Sequence, residues 1–382
     1  MSPARSTFEA TVRRGSSGRA AVERGGLAVL GLVLAFAGPG SAASPAGSSL
    51  KVSVDEPLPS ALVKAHDVRW ATGESIFVSS GKEGTFELPL RGGKPQIMVA
   101  PLPDSGPLRF HSRLGVSKEL FVVAAPITSL FWRLRSSPSP ENVETVLGFN
   151  YIVDLDVSGN RLLLLGAQQD DQGRFARDGA IAWTANVGAR LTDLKPLLYS
   201  TAGVGARPMD ACGIFELGKV RFLADGSMIV APGVEPGVFH YGPDGKLLAS
   251  WQADIVGFDA GCGLSDDEMY KYSASLKSRY PWLSQRRVLD EILPLPSGPG
   301  FVVRTRAKGK TTWELKILRD ARHVETVSIP LSSPSEFAHL RGDVREGRLV
   351  LLVTDRGDQP PQGFPRFVVA ELPDSARDAK GR

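Results

Sequence analysis

The sequence predicts an all-β fold, a six-bladed β-propeller in which an N-terminal strand closes the last blade and a small helical insertion rises from one face. Three observations predict it. Six short apolar runs recur: SIFVSS (75–80), LFVVAAP (120–126), RLLLLGA (161–167), SMIVAPG (227–233), FVVRTRA (301–307) and RLVLLVT (348–354). Each is bounded by turn residues and has the length of a strand buried on both faces. After each comes a run built on an aromatic: TFELPL, SLFWRL, AIAWTA, GVFHYG, TTWELKIL and PRFVVAEL. Finally, the last unit ends at Leu372 with three strands, while SLKVSVDE (49–56) has no partner in its own unit. Pairing the two ends completes the ring and removes free sheet edges.

The elements follow in chain order. Residues 1–43 read as a secretory signal. Five arginines precede the apolar run GLAVLGLVLAFAG (26–38), a Pro-Gly break follows, and Ser41-Ala42-Ala43 offers small residues to a signal peptidase. The run falls short of the roughly 20 residues that span a bilayer, so no stable membrane span remains after cleavage. The protein is therefore expected to be exported, periplasmic or extracellular. Without five Arg and two Glu, the formal net charge of +4 drops to +1. No global basic field is left, and nucleic acid is excluded as a partner.

Residues 44–373 form the propeller. A strand ending in a turn stands before each apolar run, as in VDLDVSGN and VRFLADGS, and a fourth strand follows each aromatic run, as in NVETVLGF and LLASWQAD. Four strands repeating about every 45–70 residues make a blade. Gly159, Gly226 and Gly347 sit in turns that often need a positive φ. Residues 374–382 are expected to be a flexible tail. The segment GVFHYGPDGKLLASW (237–251), an aromatic strand, a D-G turn and a further strand, resembles the repeat core of the NHL and TolB-like propeller superfamily. The resemblance implies the fold and no particular activity.

The short turns fall on one face and the long connections on the other: 166–179, 200–213, 253–288 and 354–365. Function is expected on the loop-rich face. Ser265-Asp266-Asp267-Glu268 has the form of a capping box, so an amphipathic helical insertion is expected over about 263–288. The only cysteines, Cys212 and Cys262, are too few for a structural zinc site and lack a CxxC spacing. In an oxidising compartment they are expected to pair as a disulfide; two free thiols are the alternative.

No nucleophile elbow, HExxH or P-loop is present, so no catalytic residue is assigned and no cofactor is expected. DLDVSGNRLLLL (154–165) imitates a calcium loop but carries Leu165 where a bidentate Glu belongs. Guanidinium forks suit carboxylates and phosphates, which makes Arg304, Arg306, Arg109 and Arg341, with Tyr280 and Trp282 of the insertion, the candidate ligand-binding residues. The competing reading of those arginines is salt bridging to Asp154, Asp290 or Asp343 inside the channel. The expected function is non-catalytic binding of a small molecule, glycan or protein. The alternative is a metal-assisted hydrolase or lactonase with a divalent metal on His66, His111, His339 and Asp154 at the channel mouth.

Overall fold

A computed structural model describes residues 48–100, 112–125, 129–134, 142–145, 151–167, 179–199, 218–233, 237–260, 282–320, 323–355, 357 and 360–377. The chain is a β-propeller. The described strands form six four-stranded antiparallel sheets, and the described helical segments are single turns at Ser60–Leu62, Ala253–Val256 and Asp374–Arg377 together with residues 282–283. Each of the first five sheets takes four strands in chain order; the first is Asp67–Trp70, Ser75–Ser80, Gly84–Pro89 and Gln96–Val99. The sixth takes Ala338–Arg345, Arg348–Asp355 and Arg366–Glu371, and its outer strand is Lys51–Pro57, paired antiparallel with Arg366–Glu371. The leftover N-terminal strand therefore closes the ring as its sequence implies. Just before it, Ser48–Leu50 also bonds to the outer strand of the fifth sheet: Ser328 N donates to Ser48 O and Leu50 N to Ser328 O.

The core is divided into six slabs, one between each pair of neighbouring sheets. This explains the uninterrupted apolar runs. In a strand, successive side chains point to opposite faces. Leu162 and Leu164 enter the slab shared with the second sheet, and Leu163 and Leu165 the slab shared with the fourth. Leu349 and Leu351 pack toward the fifth sheet, Val350 and Leu352 toward the first. With both faces covered there is no polar side to alternate with. Each fully buried Leu or Val is worth about 1.5–3 kcal/mol.

The six inner strands, Asp67–Trp70, Arg113–Val116, Tyr151–Ser158, Lys219–Phe222, Val288–Leu295 and Ala338–Arg345, touch in that order and the last touches the first. They line the central channel. Gly226 takes a φ of +80° and Gly159 one of +57° in the turns that leave two of them, a region open to Gly at little cost. The expected tail is corrected at its start: Asp374–Arg377 is a helical turn with Ala376 fully buried, and Ser375 Oγ donates to Glu325. Of the insertion, 261–281 lie outside the described residues, as do most of the long connections.

Candidate functional site

An inner strand has a sheet partner on one side only. Its other edge presents unpaired N–H and C=O groups to the ring, and buried backbone groups must find partners. The channel side chains supply them. Asp67 accepts from Leu114 N at 2.9 Å, Asp154 from Val220 N at 3.1 Å and Asp156 from Phe222 N at 2.9 Å. Asp290 accepts from Leu340 N at 3.1 Å, Glu291 from Gly342 N at 3.4 Å and Asp343 from Trp70 N at 2.9 Å. Every one of these amides belongs to the next sheet in the ring. Every one also follows a basic residue: Arg113, Lys219, Arg221, His339, Arg341 or Arg69.

The bases satisfy the carbonyls of the same edges. Arg69, Arg113, Lys219 and Arg221 each donate to the carbonyl of the residue immediately before them. Arg113 Nε also reaches Val153 O across the joint to the third sheet, at 2.9 Å. Acid and base are then paired laterally. Arg69 lies 2.9 Å from Asp67, Arg221 lies 2.7 Å from Glu291, and Arg341 lies 3.6 Å from both Asp154 and Glu291. In ring order Asp67, Arg113, Asp154, Lys219, Glu291 and Arg341 alternate in sign.

A backbone bulge completes the fifth position. Strand alternation would place Asp290 and Glu291 on opposite faces, but the register shifts between Leu289 and Glu291. A bulge re-aims the residues at it, and both carboxylates reach the sixth sheet. Trp313 Nε1 also donates to Asp290, at 2.7 Å.

These contacts set the ionisation of the channel. Burial acts to raise the Asp154 carboxyl, but Arg341, Arg221, Lys219 and Arg113 outweigh it and hold it at about 2. Asp290 is likewise held below the ordinary range: Arg304 and His339 overcome its burial. Burial lowers the Lys219 ammonium well below the usual lysine value, and Arg341 adds to that shift. Asp156 goes the other way, pushed by burial up to about 6.

Two of the candidate arginines, Arg304 and Arg341, lie among these channel groups. Arg304 is 5% exposed and donates to Ala338 O at 2.5 Å beside His339 and Asp290. Arg341 is 5% exposed and faces Asp154 and Glu291. Both are channel residues, and the salt-bridge reading describes them. Arg306 donates to Thr311 Oγ1 and Pro334 O. Trp282 stacks under Arg286, 4.9 Å from its ring centre. Arg109, Tyr280, Cys212 and Cys262 lie outside the described residues.

The described residues of the metal alternative, His66, His339 and Asp154, have different surroundings. His339 is held by Asp290 and Arg304, and Asp154 is ringed by Arg113, Arg221 and Arg341. His66 is partly buried, with its backbone N–H on Ser79 O, and His111 lies outside the described residues. Among the described residues, no three His, Cys, Asp or Glu side chains converge as a metal would need. The calcium-like stretch is strand, turn and strand, Tyr151–Ser158 and Arg161–Ala167.

Solvent-facing chemistry lies instead at the root of the insertion, over the joint between the fourth and fifth sheets. A groove of about 450 Å³ is lined there by Gln252, Ala253, Asp254, Phe258, Asp259, Ala260 and Arg286. A narrower pocket shares Phe258, Asp259 and Arg286 and continues to Gly233, Leu283, Val288 and Leu289. The cleft thus runs from the end of an outer strand to the start of an inner one. Its floor is apolar and its walls carry charges of both signs. Arg287 clamps the root: its Nε and Nη2 donate to Asp259 Oδ1 at 3.1 and 2.7 Å, and its backbone N–H to Asp259 Oδ2. Burial opposes ionisation of Asp259, but these bonds hold its carboxyl below the ordinary range. Arg286 donates to Ala260 O, and burial lowers its guanidinium. Sequence reasoning chose Trp282 here and missed Asp259 and Arg286, which stand some 27 residues apart at the two ends of the insertion.

No protein-family model matches the chain, and no curated protein matches it in sequence. Among solved structures it is similar to a calcium-binding protein, regucalcin, from Agrobacterium tumefaciens, with 10% identity, a TM-score of 0.49, and coverage of 86% of this chain and 97% of that one. It is also similar to the WD40 repeats of RRP9, at 10% identity and a TM-score of 0.47, covering 85% and 99%. The likeness is one of β-propeller architecture alone.

Proposed function

We propose that this chain is an exported six-bladed propeller that binds a small molecule, glycan or protein segment without catalysis, in the groove at the root of the insertion expected over about 263–288. The groove itself carries the reading: an open, apolar-floored cleft with Arg286, Asp254 and Asp259 on its walls, the usual make-up of a binding site. The channel is the weaker candidate, because most of its described acids and bases bond to each other or to the inner edges. The count of six blades rests on the six sheets and the six slabs between them. Export rests on the leader in the sequence, and Ser48, already bonded to Ser328, stands a few residues beyond the expected cleavage point. The Cys212–Cys262 disulfide belongs to the same reading.

The test is a thermal-shift screen of the mature protein against oligosaccharides, short peptides and carboxylate-bearing small molecules, repeated on Gln252→Trp. Gln252 is exposed at the outer end of the groove, and the indole fills it. A stabilising compound that loses its effect on Gln252→Trp supports the site. Compounds that stabilise both proteins equally bind elsewhere and overturn it. Intact mass and a thiol count on the same preparation check cleavage and the disulfide.

A further inference from the structure

We propose that the outer edge of the fourth sheet, Leu247–Gln252, is the interface of a symmetric dimer, pairing antiparallel with the same strand of a second copy. Each outer strand has a sheet neighbour on one side only. Its free edge offers unpaired N–H and C=O groups to any other strand, and folded proteins blunt such edges with charge, proline or a covering segment. Four of the six outer strands are blunted along their length: Lys51–Pro57 by Asp55 and Glu56, Asn142–Thr145 by Glu144, Leu191–Tyr199 by Lys195 and Pro196, and Val324–Ser333 by Pro330. Ser48–Leu50 also covers part of the last. Gln96–Val99 is four residues long and is entered through Lys94-Pro95. Leu247–Gln252 has neither charge nor proline, and among the described residues no strand pairs with its outer edge.

The same edge is apolar. Leu248 is 61% and Leu247 55% exposed, and Ile255 follows in the next turn at 44%. Three of the six large apolar side chains exposed among the described residues therefore fall in this one short stretch, and an apolar surface that is gathered rather than scattered marks a contact site. The strand's irregularity, a register shift that leaves Leu248 unpaired, lies near its start. Ala249–Gln252 keep regular register with Gly237–His240, so their outer groups are spaced for a mate.

Symmetry and charge select a second copy as the occupant. A two-fold axis brings one patch against itself, and antiparallel pairing sets the start of each strand beside the end of its mate. Lys246 precedes the strand and Asp254 stands in the helical turn just after it, both exposed. With the axis at Ser250, the Lys246 end of each copy meets the Asp254 end of the other, twice. Between those ends no charge meets a charge: Leu248 faces Gln252, Ala249 faces Trp251, and Ser250 faces itself. Lys246 also lies 3.3 Å from Asp244 on its own turn, so the seam offers it a second carboxylate. An edge of six residues is small for a permanent interface, and the dimer is expected to exchange with monomer. The pairing needs no ligand in the groove.

The experiment is sedimentation velocity of the mature protein from low to high micromolar concentration. The wild type is expected to pass from monomer to dimer and no further, because pairing uses up the edge. Leu248→Lys, at an exposed position, is expected to stay monomeric throughout. Lys246→Glu sets like charges together at both ends and is expected to weaken the dimer about tenfold. Lys246→Glu/Asp254→Lys is expected to restore it. A wild type that stays monomeric overturns the dimer and leaves the edge to a strand of another protein. A dimer that Leu248→Lys or Lys246→Glu leaves as tight forms elsewhere and also overturns it, as does a double exchange that fails to restore Lys246→Glu. Amide exchange on the wild type needs no variant: the amides of Leu247–Gln252 are expected to slow as concentration rises, and unchanged rates overturn the proposal.

Discussion

The channel and the groove invert a common expectation. The channel gathers many charged side chains, and most of the described ones answer to another part of the fold. The groove holds three charged side chains, and it is the one that faces solvent with an apolar floor. The difference teaches that charge at the centre of a propeller is demanded by geometry before it is available for a ligand. Inner strands leave an edge of unpaired backbone groups, and carboxylates and guanidiniums are what close it. A substitution should therefore act on stability in the channel and on binding in the groove.

The largest effect is expected at Asp154. Asp154→Ala leaves Arg113, Arg221 and Arg341 around an apolar gap and frees Val220 N. Breaking a buried pair from one side costs about 3–5 kcal/mol, read as a drop in the urea midpoint. A loss below about 1 kcal/mol would end the account of the ring as a structural device. Trp313→Phe keeps the packing and removes the donor to Asp290. A loss of about 1–3 kcal/mol is expected, with no change in any groove ligand's affinity.

Acid sharpens the comparison next. Asp154 titrates at about 2 in the folded protein and Asp290 is also lowered. Their stabilisation is complete above the unfolded value near 3.8 and is lost as pH falls toward 2. Asp156, raised from 3.8 to about 6, acts in the opposite sense, its stabilisation being lost between those values, so stability should peak at about pH 4. A thermal-melting series across pH checks this; a monotonic rise to pH 8 would contradict it. The smallest effect belongs to Gln252→Trp, expected to stay within about 0.5 kcal/mol of the parent while abolishing groove binding. A large loss of stability there would mean that the groove is itself a packing element.

Much of this architecture is legible in the sequence, for stated reasons. RLLLLGA and RLVLLVT read as strands buried on both faces because no polar residue interrupts them, and the surplus strand SLKVSVDE demands a partner at the far end. The spacing of Asp154 and Asp156 says that they share a face. It does not say that Val220 and Phe222 amides wait opposite, because an orphaned edge appears only once the ring is closed. Asp290 and Glu291 are adjacent, so alternation separates them and only the bulge at Leu289 reunites them. The groove was hidden for another reason: Asp259 and Arg286 meet through the two ends of an insertion, a closure that no periodicity records.

The sign alternation at the centre also acts as an error check on assembly. One set, Asp67, Arg113, Asp154, Lys219, Glu291 and Arg341, alternates in sign from strand to strand, while Arg69 on the first inner strand and Asp343 on the sixth stand outside it. Omitting one sheet of six brings together the two like charges that flanked it, at one seam. Repeated sheets of similar length are prone to swapping between copies and to skipped pairings. Here a ring that omits or borrows a single sheet meets like charges of this set at a buried seam, whereas in the full complement each member of the set has neighbours of opposite sign. The centre of the molecule counts its own parts.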